Sequence, residues 1–226
     1  MGFNFPDPHE FRMRGTADAL SIDMVADSAW LLWASKRLCD VVIAALALLV
    51  FAPVMLAVAA AIKWDSRGPV LFCQNRLGRR NRPFRIYKFR TMHVQDDGPV
   101  VVQATRNDPR VTRLGRLLRK SSLDELPQLF NVIRGEMSLV GPRPHAVAHD
   151  QFYDMVIPDY SKRRLVTPGL TGWAQVNGAR GETPSVESMA ERVQLDLWYV
   201  RNCSLALDCK ILLKTFVEVL NSSRAY

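Results

Sequence analysis

Histidine and cysteine are scarce in this chain, four of each among 226 residues. Cys39, Cys73, Cys203 and Cys209 form no C-x-x-C pair, and the histidines are too scattered for a zinc pattern. The cysteines therefore read as free thiols in a reducing compartment. No internal repeat and no low-complexity tract is present, so the length fits one catalytic domain plus an anchoring segment. Acids are the minority, 22 against 30 Lys and Arg, for a net charge of +8. That balance suits nucleic acid, an anionic membrane face or phosphorylated substrates, and charge alone does not choose among them.

The most consequential absence is that of charge from Val41 to Ile62. About 22 residues suffice for a helix to cross a hydrocarbon core. Ala59 and Ala61 imitate a signal-peptide cleavage site, but the run is longer than a signal peptide's and acids precede it, so no cleaved signal is expected. On length alone a simple spanning helix fits. Two features oppose it. Pro53 sits near the middle, where proline removes a helical hydrogen bond and favours a kink. Lys36 and Arg37 precede the run, and Lys63 and Arg67 follow it, so both ends are drawn to the cytoplasm. A helix that enters, bends at Pro53 and returns satisfies both. Upstream, Ala26 to Ala34 reads as a short amphipathic helix carrying Trp30 and Trp33.

Beyond the anchor the pattern is that of a soluble domain. Val70 to Cys73 and Phe84 to Phe89 predict strands joined by the turn-rich Gly78 to Pro83. Val111 to Lys120, Ser122 to about Ile133, Glu187 to Tyr199 and Leu207 to Leu220 predict helices. The last either packs on the domain or lies on the bilayer. Arg163 to Gly181 reads as a Gly- and Pro-rich loop region.

Bases gather in two stretches, seven from Arg76 to Arg90 with no acid between them, and six from Arg106 to Lys120 against Asp108 alone. They suit a face touching anionic lipid or a phosphate pocket, since guanidinium binds phosphate as a bidentate fork. In a strand, Lys88 continues the apolar face of Phe84 and Ile86, which places it at a rim or in a site. Ser122-Leu123-Asp124-Glu125 matches a capping box with Ser122 as cap and Glu125 reaching back. That role leaves Asp124 unexplained, and adjacent acids also serve as nucleophile, acid–base group or magnesium ligand. In Gly141-Pro142-Arg143-Pro144 two prolines stiffen the backbone around one arginine. Thr167 to Gly178 combines glycines, hydroxyls and amides, either as a structured loop or as a surface for a ligand.

Together these segments resemble the small monotopic phosphoglycosyl transferases, also called bacterial sugar transferases. The resemblance rests on K-R-x-x-D (Lys36, Arg37, Asp40), the Pro53-interrupted anchor, G-P-V-L-F (Gly68 to Phe72) and Y-K-F-R-T-M (Tyr87 to Met92). It continues through S-L-D-E-L-P-Q-L (Ser122 to Leu129), G-E-M-S-L-V-G-P-R-P (Gly135 to Pro144) and P-G-L-T-G-W-A-Q-V-N-G (Pro168 to Gly178). It covers about Lys36 to Leu220, and residues 1–34 lie outside it.

The resemblance implies an α+β fold, a mostly helical membrane-surface domain with a short β-hairpin and an N-terminal re-entrant membrane helix. The chain divides into a variable segment 1–34, the re-entrant helix 35–64 and a cytoplasmic catalytic domain 65–226, similar to the minimal catalytic form of the family. The implied reaction transfers a hexose-1-phosphate, galactose or glucose favoured, from a UDP-sugar to undecaprenyl phosphate, releasing UMP. It would be the first membrane step of exopolysaccharide synthesis, at the cytoplasmic face of the inner membrane. Asp124 is the expected nucleophile, forming a covalent aspartyl–phosphosugar, with Glu125 assisting. Mg²⁺ is expected on Asp124 and Glu125. Substrate contacts are expected from Lys88, Arg90, Pro142, Arg143, Pro144, Thr171, Gly172, Gln175 and Asn177. UDP-sugar, undecaprenyl phosphate and membrane lipid are the expected partners, with no nucleic acid; a homodimer is left open. A membrane-tethered nucleic-acid binder would account for the bases but not for the Asp124–Glu125 and Arg143 motifs. A noncatalytic scaffold would tolerate Asp124→Asn.

Overall fold

The computed structural model describes residues 18–93 and 108–220, with side chains from Trp33 to Glu218. Residues 1–17 of the variable segment, the side chain of Trp30, and Arg106 in the second basic stretch lie outside the described residues. The chain opens with helix α1 (Asp18–Asp65), which runs without interruption through Pro53. The separate amphipathic helix expected over Ala26 to Ala34 is its first part. From Asp18 to Ala52 there is no glycine or proline to stop a helix, so amphipathic and apolar stretches join. At 1.5 Å per residue α1 extends roughly 70 Å. Its segment Trp33–Asp65 is long and apolar enough to cross a membrane.

A hairpin follows, β1 (Leu71–Leu77) antiparallel to β2 (Pro83–Phe89), paired from Leu71 with Phe89 to Leu77 with Pro83. Strand β1 runs four residues beyond the expected Cys73. Gln74, Asn75 and Arg76 have no strand pattern of their own, but each has a partner on β2. The remaining helices are α2 (Arg113–Ser121), α3 (Gln128–Arg134), α4 (Val147–Val156), α5 (Trp173–Val176), α6 (Val186–Asn202) and α7 (Leu205–Leu220). Two short strands, β3 (Ser138–Val140) and β4 (Gly169–Thr171), pair in parallel. The expected α+β class with a short hairpin holds. The parallel pair and α4 are additions, and β4 and α5 lie inside the segment expected to be loop.

A backbone contact explains that addition. A Cβ on Gly169 would lie 2.1 Å from the Gly141 nitrogen, and one on Gly172 2.3 Å from the Gly141 oxygen. Gly-Pro-Arg-Pro and Pro-Gly-Leu-Thr-Gly are therefore two halves of one unit whose chains touch where side chains are missing.

Helix α1 is tied to the domain at both ends of its apolar stretch. Arg37 donates to the carbonyls of Val132 and Ile133 at the end of α3. Lys36 Nζ donates to Asp208 Oδ2 at 2.6 Å and to the Val140 carbonyl, while Asp40 Oδ1 accepts from Leu139 N. At the far end Arg90 donates to the carbonyls of Ile62, Ser66 and Arg67. Ala44 packs in one apolar cluster with Val132 and Ile211, and Val58 and Ile62 in another with Phe89 and Leu118. Between these contacts Leu46, Leu49, Val50 and Leu56 are exposed, Leu49 by 74%.

Candidate active site

The hairpin, the turn after α2 and the Gly141–Pro144 segment converge on a cavity of about 1580 Å³. Its wall includes Lys88, Asp124, Glu125, Arg143, Pro144 and Gln175. With Arg90, seven residues expected at the site thus line one cavity.

The expected capping box is not formed. Ser122 is left-handed (φ 58°), ends α2 by donating its N–H to the Arg119 carbonyl, and makes no side-chain cap. An N-cap needs extended backbone. Its hydroxyl instead accepts from Arg180 Nη2 at 2.7 Å. The single helix expected from Ser122 is a 3₁₀ turn, Leu123–Glu125, followed by α3, with Pro127 at the junction. Proline fits there because its missing N–H would have no helical acceptor anyway. Freed from capping, Glu125 turns to two cations. Lys88 Nζ donates to Oε1 at 2.9 Å, and Arg143 donates through Nη1 to Oε2 and through Nη2 to Oε1.

The two adjacent carboxylates therefore stand in contrasting surroundings. Burial raises the Glu125 carboxyl, but Arg143 and Lys88 outweigh it and hold the group well below the usual carboxylate range. Asp124 is 8% exposed and, among the described residues, takes no hydrogen bond or ion pair. Burial first, and the Glu125 charge second, push its carboxyl up to about 6, against the pull of Lys88, Arg119 and Arg143. Neighbouring carboxyls driven apart in this way take different chemical roles. Lys88, on the apolar face of β2 as expected, points into the site, and burial lowers its ammonium despite Glu125.

Arg143 is held from behind as well as by its prolines. Arg163 Nη2 donates to the Arg143 carbonyl at 2.7 Å, and Arg163 is fixed in turn by Asp196 through Nε and Nη2, at 3.0 and 2.7 Å. His145 Nδ1 lies 2.9 Å from Arg163 Nη1 and 2.5 Å from the Tyr160 hydroxyl. Burial and the Arg163 charge keep this imidazole neutral. Arg76 of β1, lining the same cavity, is lowered to about 10 by burial and by Arg143.

Other expected contacts go elsewhere. Arg90 reaches the cavity wall, yet Nη1 and Nη2 are spent on the end of α1. Thr171 Oγ1 pairs with Thr215 Oγ1 at 2.7 Å, joining β4 to α7. Asn177 Nδ2 donates to the Trp173 carbonyl, and Gly172 serves the close approach to Gly141. Pro142 lines a smaller neighbouring pocket. Arg163, Asp196, His145 and Gln128 went unnoticed in the sequence. Only Gln128 had a local signal, its place four residues after Asp124.

Geometry and motifs agree with comparison to known proteins. The bacterial sugar transferase family matches residues 31–222. This chain belongs to that family. It is 55% identical over 191 residues to the UDP-glucose:undecaprenyl-phosphate glucose-1-phosphate transferase of Caulobacter vibrioides, covering 84% of this chain and 72% of that one. A protein of the same name from Escherichia coli K12 is 50% identical, and there the match covers 84% of this chain but only 41% of the relative. The exopolysaccharide production protein PSS of Rhizobium leguminosarum bv. phaseoli is 44% identical, with 84% and 98% covered. The family member thus spans most of some relatives and about two fifths of others.

Proposed function

We propose that this sugar transferase moves glucose-1-phosphate from UDP-glucose to undecaprenyl phosphate through a covalent intermediate on Asp124. The observation that carries the reading is the split between the carboxylates: one clamped by cations, the other unengaged beside the cavity. An Asp124 oxygen attacks the phosphorus that bears the sugar. The bond from that phosphorus to the bridging oxygen breaks, and UMP leaves with the electron pair. An oxygen of undecaprenyl phosphate then attacks the same phosphorus and displaces the Asp124 carboxylate, giving the lipid diphosphate sugar. Glucose is preferred to galactose because two relatives carry glucose in their names. A place in exopolysaccharide synthesis is supported by the name of a third.

Lys88 and Arg143 supply positive charge for the phosphates, and Glu125 keeps both cations aimed at the cavity in its absence. Among the described residues no group of three or more His, Cys, Asp or Glu gathers as a metal cage. A cation held by one carboxylate, water and substrate phosphates still fits, which is the manner of magnesium. Asp124 fits as that ligand. Glu125 does not while both its oxygens hold Lys88 and Arg143. Bound Mg²⁺ would offset the diphosphate charge.

The anchor reading is part of the proposal. Lys36, Arg37 and Asp40 bond to the same domain that takes up Ile62 and Ser66. A helix spanning the bilayer would put those two groups on opposite sides. The exposed stretch around Leu49 and Val50 therefore enters the membrane and the chain returns, leaving the domain on the cytoplasmic face of the inner membrane. Full-length protein with undecaprenyl phosphate and a panel of UDP-sugars should release UMP fastest from UDP-glucose. No release from any of them would refute the proposal.

A further inference from the structure

Several side chains on the cavity wall hold buried polar atoms with no partner among the described residues, including Arg76 Nε, His145 Nε2 and Gln175 Oε1. In Gln128 the whole head group is in this state. The residue is 0% exposed, lines the cavity, and among the described residues neither Nε2 nor Oε1 has a partner. Buried amides are nearly always matched, because a stranded donor or acceptor loses its water for nothing.

Helix α3 provides its own control. Asn131, also 0% exposed, is fully engaged: Oδ1 accepts from Tyr87 N, and Nδ2 donates to the Arg85 carbonyl and Glu136 Oε2. The fold satisfies an amide where the amide is structural. One turn earlier, on the side of the cavity, it leaves one unmatched.

The position narrows what the amide meets. Gln128 opens α3 four residues after Asp124, across the 3₁₀ turn and Pro127, and both residues line the same cavity. In a nucleotide-sugar the hexose is joined through one oxygen to the phosphorus that Asp124 attacks. The base lies beyond a second phosphate and a ribose. A hexose offers hydroxyls that both donate and accept, which matches a primary amide.

We propose that Gln128 hydrogen-bonds a hydroxyl of the transferred hexose and thereby sets the sugar preference of this enzyme. The inference rests on Asp124 as the nucleophile. It makes Gln128 a specificity residue, and its vacant amide the binding site for one sugar hydroxyl.

The test pairs a changed enzyme with a changed substrate. UMP release with undecaprenyl phosphate is measured for full-length wild type and Gln128→Leu. The substrates are UDP-glucose, UDP-galactose, UDP-glucose analogues each lacking one hydroxyl, and CDP-glucose. Thermal melting is recorded in parallel, and Gln128→Met serves if the leucine variant does not fold. Gln128→Leu should melt no lower than wild type, since it removes a polar group the fold does not use. Its kcat/KM for UDP-glucose should fall roughly tenfold or more. For one deoxy analogue the two enzymes should agree within about twofold, because bond and partner are already gone. Additive losses for every analogue would overturn the inference, as would a lowered melting temperature in both variants. Coupling to the base in CDP-glucose rather than to a sugar hydroxyl would also overturn it. Failure of the nucleophile reading looks different: wild type still releases UMP when undecaprenyl phosphate is present, but UDP-glucose alone leaves no hexose phosphate on Asp124.

Discussion

Two clusters of buried charge meet at Arg143. Its side chain donates to Glu125, which also holds Lys88 and sits beside Asp124; its carbonyl accepts from Arg163, which is paired with Asp196. Both contain arginine and carboxylate at hydrogen-bonding distance. The Arg163–Asp196 pair is closed, each side chain 3% exposed, with one cation matched to one anion. The Glu125 cluster is more open, with Arg143 at 29%, and sets two cations on one carboxylate while a second carboxylate stands apart. A matched, covered pair holds a backbone in place. An unmatched cluster at a cavity wall has charge left over for something that arrives. The difference marks one cluster as architectural and makes the other the candidate for chemistry, although the residue types are the same.

Substitution should separate the two. Asp124→Asn is expected to lower turnover about a thousandfold or more while the protein still folds, as UMP-release kinetics will report. Stability should move the other way. The folded pKa of Asp124 is raised, so its contribution is present at low pH and lost as pH rises through about 6. Asn removes that loss. Without added metal the variant should therefore melt higher than wild type at pH 7.5, and the gap should close near pH 4. Asp196→Asn should do the reverse, costing about 3–5 kcal/mol by stranding Arg163, seen as a lower denaturation midpoint. Arg143→Lys loses the fork but keeps the charge. A fall of roughly ten- to a hundredfold in kcat/KM is expected, with melting little changed. The smallest effect sharpens the comparison within the open cluster. The kcat/KM profile of wild type should rise with pH through about 6, as Asp124 ionises. Glu125 charge is one cause of that raised value, so Glu125→Gln should shift the rise to lower pH by about one unit, with much lower activity.

The open cluster was largely legible in the sequence, and the closed one was not. Asp124–Glu125, Lys88 and Arg143 each sit in a short segment whose local chemistry is unusual: paired acids, a base on an apolar strand face, an arginine between prolines. Arg163 and Asp196 are 33 residues apart and carry no local mark. Their pairing exists only after α6 packs against the Tyr160–Leu165 turn. The same limit explains Ser122 and Arg90. The capping box is a local rule; here Ser122 is left-handed and cannot cap, and Glu125 is held by Lys88 and Arg143, both distant in sequence. Arg90 looked like a phosphate ligand because its stretch is basic, but the end of α1 takes its guanidinium. Strand β4 was hidden among glycines whose use is contact with Gly141. On the anchor, Pro53 and the basic flanks pointed to a return, and the contacts at Lys36, Arg37 and Asp40 support it from the folded side. That Pro53 does not break α1 was not evident, since proline disfavours a helix without always ending one.

The central claim is that Asp124 carries the sugar phosphate between two substrates. It is tested most directly by incubating full-length protein with UDP-glucose and no lipid acceptor, quenching, and locating the modified peptide by mass spectrometry. One hexose phosphate should be found on Asp124, with an equal amount of UMP released, and later addition of undecaprenyl phosphate should discharge it. UMP formed only when the acceptor is present, with no adduct or with an adduct on another residue, would contradict the account.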